Sequence, residues 1–91
     1  MNHFGAQMMR HWQDERLLAF NELEDPAEHF RHLGEEMAEQ VEMRSRSLAG
    51  VAPSNEGYLD RLQRLNSARL AAEDAVVREY LLRESEQEQA L

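Results

Sequence analysis

Asp25-Pro26-Ala27-Glu28 at one end and Leu48-Ala49-Gly50-Val51-Ala52-Pro53 at the other bracket the stretch that decides the fold. An aspartate ahead of a helix accepts from the backbone N–H groups of the first turn. Proline fits the first helical position, and a glutamate three residues after the cap can return the hydrogen bond. At the far end Gly50 suits the left-handed residue that follows a helix, and Pro53 cannot continue one. Between these marks Ala27, Phe30, Leu33, Met37, Val41 and Leu48 recur at steps of three, four and seven, with Gly34, Ala38 and Ala49 alongside. That period predicts a helix over 26–49 with one apolar stripe. Gly34 costs such a helix about 1 kcal/mol relative to alanine, a loss that close approach of another helix would offset.

Working outward, Gly-Val-Ala-Pro-Ser-Asn-Glu-Gly over 50–57 reads as a loop. A second long helix is expected over 58–83, with Tyr58, Leu62, Leu65, Ala72, Val76 and Tyr80 as its stripe and Leu59, Val77 and Leu81 beside it. Residues 84–91 lose the apolar period and are expected to fray. Upstream, Phe4, Met8 and Trp12 hold one phase, and Leu17, Phe20 and Leu23 continue in another. Two helical pieces over 3–24 follow, with a bend near 13–15 where Asp14 can cap the second. The expected fold is a single all-α domain over 1–91. It is an antiparallel helical hairpin of two long helices with the short N-terminal helices packed on it, because neither long helix can bury its stripe alone.

The chain has 91 residues, with 18 acidic residues against 10 arginines and no lysine, for a net charge of −8. That length supports one small core. Counted over three successive segments the charge is −2 over 1–24, −3 over 25–50 and −3 over 51–91. No basic block emerges, so direct binding to a nucleic-acid backbone or an anionic membrane is not expected. Cysteine is absent, which excludes disulfides and thiolate metal sites. No apolar run approaches a membrane span, no leader is evident, and the expected compartment is the cytoplasm. No nucleophile, acid pair or phosphate loop is spaced for chemistry, so the expectation is a non-enzyme without a cofactor.

Four polar residues stand out. Asn66, Arg69 and Glu73 fall at i, i+3 and i+7 in the sector that otherwise holds Tyr58, Leu62, Leu65 and Val76, and Arg44 sits where the stripe of the 26–49 helix calls for an aliphatic residue. Left unpaired and buried, such groups cost several kcal/mol. They form either a structural network, with Glu73 accepting from Arg69 or Arg44, or a recognition face for a protein partner. A second copy of the chain is one such partner, since long helices in so short a chain leave apolar surface uncovered. His29 and His32 are three apart, but a structural zinc site wants four ligands, and both face away from the stripe.

Phe4-Gly5, then Arg10-x-Trp12, Arg16 and Phe20-Asn21-x-Leu23, followed on the last helix by Arg64-Leu65-Asn66 and Ala72-Glu73, resemble the TnpV-type transposon-encoded proteins. The matching words span about 4–81 in the same order. The resemblance implies a small helical protein in the setting of a bacterial mobile element, and it touches Asn66 and Glu73 independently of their periodicity. Function is therefore expected through protein–protein contact, as an accessory protein. The acidic balance motivates one alternative: an element-encoded inhibitor that occupies the basic channel of a host nucleic-acid enzyme, in the manner of small anti-CRISPR proteins.

Overall fold

The computed structural model describes residues 1–89, with side chains through Glu84. It is all-helical. Four helices follow one another: α1 (His3–Glu15), α2 (Leu17–Asn21), α3 (Pro26–Ala49) and α4 (Tyr58–Gln89), with no strand among the described residues. By internal packing the chain divides into two compact units, Met1–Glu39 and the residues from Gln40 onward, so α3 contributes to both.

In the first unit Asn2 caps α1, its Oδ1 accepting from the Gly5 N–H at 2.9 Å. The same side chain donates through Nδ2 to the Gly34 carbonyl on α3, also at 2.9 Å. One amide thus ties the start of α1 to the middle of α3. Here the two backbones nearly touch: a Cβ built on Gly34 would lie 2.8 Å from Gly5 N and 2.9 Å from Gly5 Cα. The glycine anomaly in the α3 stripe is therefore a helix crossing that admits no side chain on either partner. Phe4, Met8, Phe30 and Met37 are buried around it. Trp12 stands edge-on to Phe30 with centroids 5.4 Å apart, Phe20 stacks at 6.1 Å, and the Arg16 guanidinium lies 4.1 Å above the Trp12 ring.

The bend between α1 and α2 falls at Arg16, whose φ of −137° and ψ of 50° leave the helical region, immediately after the 13–15 stretch. Asp14 does not cap α2, which begins without a side-chain cap. The entry to α3 also differs in part from expectation. Asp25 Oδ1 accepts from the Glu28 N–H at 3.2 Å, but the Glu28 carboxylate turns to Arg31 and to His32 instead of back to the cap. The Arg31 guanidinium one turn ahead, with the His32 ring beside it, outcompetes a single backbone N–H for that carboxylate.

In the second unit the exit from α3 matches its signal: Gly50 has φ of 65° and its N–H donates to the Arg46 carbonyl at 3.2 Å. Tyr58 opens α4, with the Arg61 N–H donating to the Gly57 carbonyl at 3.0 Å. The helix runs on to Gln89, past the expected end at 83; of the expected frayed tail, Ala90 and Leu91 lie outside the described residues.

The buried row of α4 differs from the expected stripe. Ala68, Ala72, Val76 and Tyr80 are buried, with Glu84 after them, in strict steps of four. Tyr58, Leu62 and Leu65 are exposed, at 74%, 41% and 39%. The reason is geometric. At 3.6 residues per turn a row of every fourth residue precesses by about 40° per step, so from Tyr80 back to Arg64 the inward direction swings through about 160°. Traced toward the start of the helix the row passes from Ala68 to Arg64 and Asp60, and the apolar residues fall to one side.

Arg64 takes the inward place. Its Nε donates to Glu56 Oε2 at 2.7 Å, Nη2 to Oε1 at 3.1 Å and Nη1 to the Ala49 carbonyl at 2.5 Å. This bidentate fork closes the 50–57 loop and satisfies a carbonyl at the C-terminus of α3, where a cation is also favoured by the helix dipole. The Glu56 carboxylate is nearly covered, and the guanidinium beside it holds its pKa below the ordinary carboxylate value.

Candidate functional site

Starting from the four residues singled out by pattern, the structure separates them. Arg44 is half-buried and pairs with Glu79 at 2.5 Å. Arg69 is exposed and donates through Nη2 to both oxygens of Glu42, at 2.9 and 3.1 Å. Asn66 is exposed, and Glu73 is half-buried. Cross-helix pairing of the arginines thus exists, but their carboxylates are Glu42 and Glu79 where the pattern pointed to Glu73. The place of Glu42 one helix away from Arg69 is a tertiary fact that spacing along one helix does not carry.

Asn66 and Arg69 do come together in a groove of about 310 Å³, lined by Glu42, Ser45, Arg46 and Ala49 from α3 and by Leu65, Asn66 and Arg69 from α4. Ala49 and Leu65 give it apolar wall. Asn66 and Ser45 supply neutral donors and acceptors, and Arg46 supplies a guanidinium with no ion-pair partner among the described residues. Leu62 and Tyr58 extend the apolar edge along α4 at steps of three and four from Leu65, and Leu48 and Val51 are exposed at the neighbouring end of α3 and in the loop.

Charge sets this end apart. Between Met43 and Ala72 five arginines (Arg44, Arg46, Arg61, Arg64 and Arg69) stand against two carboxylates, Glu56 and Asp60, while sixteen of the 18 acidic residues lie elsewhere. Counting over 25–50 and 51–91 divides this segment between two acidic neighbours and hides it. A window matched to the loop and its flanking turns would have found it, and with it Arg46 and Arg61, which pattern reading passed over.

The rest of the polar surface is knit by local pairs. Arg31 binds Glu28 at 2.5 Å and Glu35 at 2.8 Å, which lowers the Glu28 pKa and raises that of Arg31. Arg78 binds Asp74 at 2.6 Å. His32 pairs with Glu28 at 2.8 Å, and the His29 ring lies against Trp12 and Phe30. Among the described residues no group of three or more histidine, aspartate or glutamate side chains could hold a metal ion, and no helix is long and apolar enough to cross a membrane.

Searches against family models, characterised proteins and solved structures find no match to this chain.

Proposed function

We propose that this chain is a non-enzymatic helical accessory protein that works by protein–protein contact, and that its second unit is a helical hairpin presenting its loop end to the partner. The antiparallel sense is supported by two links, Arg69 to Glu42 and Arg64 to Ala49, in which the later residue of α3 meets the earlier residue of α4; the Arg44–Glu79 pair is a third link that does not follow this order. The observation that carries the functional reading is the row Tyr58, Leu62 and Leu65. A stripe whose period says core stands exposed beside a groove. Monomeric proteins seldom leave contiguous apolar surface without use for it. The resemblance of the Phe4-Gly5 and Arg64-Leu65-Asn66 words to TnpV-type proteins supports the setting of a bacterial mobile element.

The inhibitor alternative needs free carboxylates spaced like phosphates. Its case is weakened because Glu28, Glu35, Glu42, Glu56, Asp74 and Glu79 each hold an arginine of the same chain. The test is cross-linked capture with the full chain and with a Leu62→Ser/Leu65→Ser double variant. A protein retained by the first and lost by the second, with helicity equal in both, is expected. Identical retained sets would refute the reading.

A further inference from the structure

We infer that the groove and the Tyr58–Leu62–Leu65 edge receive an acidic amphipathic helix of a different protein. This rests on the protein-contact reading and adds the partner's chemistry. Three observations carry it. The first is shape: an exposed apolar row at i, i+4 and i+7 beside a groove walled by Leu65 and Ala49 accepts the spaced apolar side chains of a helix, each lodging as an anchor.

The second is charge. The groove's own lining carries Arg46 and Arg69 against Glu42, and the segment from Met43 to Ala72 carries five arginines against two carboxylates in a chain of net charge −8. Three of the five are engaged within the protein: Arg44 with Glu79, Arg64 with Glu56 and Arg69 with Glu42. Arg46, in the groove wall, and Arg61, on the first turn of α4, are exposed and form no close ion pair among the described residues, while Arg61 lies near enough to Glu56 to help lower its pKa. They are left to meet carboxylates flanking the partner's apolar stripe, where complementary charge steers encounter and fixes register.

The third is exclusion by the same chemistry. A second copy laid face to face on this surface would oppose one arginine cluster to the other. A phosphate backbone would use two guanidiniums and leave Tyr58, Leu62 and Leu65 against water or sugar. A bilayer bearing anionic lipid would repel a chain of net charge −8.

The experiment titrates the full-length protein calorimetrically with a synthetic helix about three heptads long, leucine at the core positions and glutamate elsewhere. Its counterpart carries lysine in place of glutamate. The glutamate peptide is expected to bind with a micromolar Kd that weakens as salt rises, and the lysine peptide not to bind. Arg46→Glu with Arg61→Glu should weaken the glutamate peptide by about tenfold or more. Leu62→Ser/Leu65→Ser should abolish binding, with circular dichroism unchanged in both variants.

Equal binding of the two peptides, or charge reversal without effect, would overturn the inference. So would phosphatidylserine vesicles or a short DNA duplex binding more tightly than the peptide. Dimer mass by light scattering that persists under saturating peptide would assign the face to a second copy, and would equally overturn it. Should these outcomes appear while cross-linked capture still depends on Leu62 and Leu65, the acidic-helix inference falls and the protein-contact reading stands.

Discussion

Replacing Gly34 with alanine sets two effects of opposite sign against each other. In an isolated helix the change is favourable by about 1 kcal/mol, because alanine loses less backbone freedom than glycine. In this protein the new methyl would sit 2.8 Å from Gly5 N and 2.9 Å from Gly5 Cα, and still closer to Asn2 Oδ1. The Asn2 side chain can rotate away, but only by giving up its bond to the Gly34 carbonyl and its cap on the Gly5 N–H. The Gly5 backbone cannot rotate; α1 must move as a body. Overpacking of this kind costs about 1–3 kcal/mol, and each lost hydrogen bond a further ~0.5–1.5 kcal/mol. Set against the propensity gain, Gly34→Ala should destabilise by about 1–5 kcal/mol. For a chain of this size that lowers the melting temperature by roughly 5 °C at the low end and by tens of degrees at the high end. Thermal unfolding followed by far-UV circular dichroism reads it directly. A melting temperature equal to or above that of the parent would show that the α1–α3 crossing is not close and that the glycine is only a poor helix former.

Other perturbations separate the remaining contacts. Phe30→Ala removes a fully buried ring in contact with Trp12 and Phe20; a loss of about 3–5 kcal/mol is expected in denaturant titration, against a change within about 0.5 kcal/mol for the exposed Leu59→Ala. Arg64→Met should leave most of the helix in place yet open the 50–57 loop, seen as faster proteolytic cleavage and amide exchange there; unchanged protection would refute the closing role of the fork. The Glu56 pKa lies below its ordinary value of 4.5, so its contribution is present above that pH and is lost as pH falls through the lower folded value. Glu56→Gln should therefore cost stability at neutral pH and flatten the acid limb of the stability curve; an acid limb identical to that of the parent would refute this.

Much of α3 was legible because its signals are local. Asp25 ahead of Pro26, Gly50 and Pro53 at the exit, and the Phe30–Met37–Val41 period all act within one or two turns. The second half of α4 was legible for the same reason. The first half was not. Its leucines obey the helical period, and no local rule says that the buried direction has swung past them by the time the chain reaches Leu65. Asp14 is a good cap by type but does not cap α2, and the break beside it sits where a guanidinium stacks on Trp12. Of the candidate residues, Asn66 and Arg69 reached the groove. Arg44 and Glu73 did not, since an arginine's partner is chosen by reach across helices, and Glu79 and Glu42 lie within it.

The slow turning of the inward direction along α4 has a consequence for how the chain tolerates change. A single oily edge, unbroken to the eye, is divided in two: past Ala68 it faces the protein's own interior, and before it the side chains face water. Damage to Val76 or Tyr80 should surface as lost protein, whereas on the proposed protein-contact reading damage to Tyr58 or Leu62 should surface as a well-folded molecule that no longer binds.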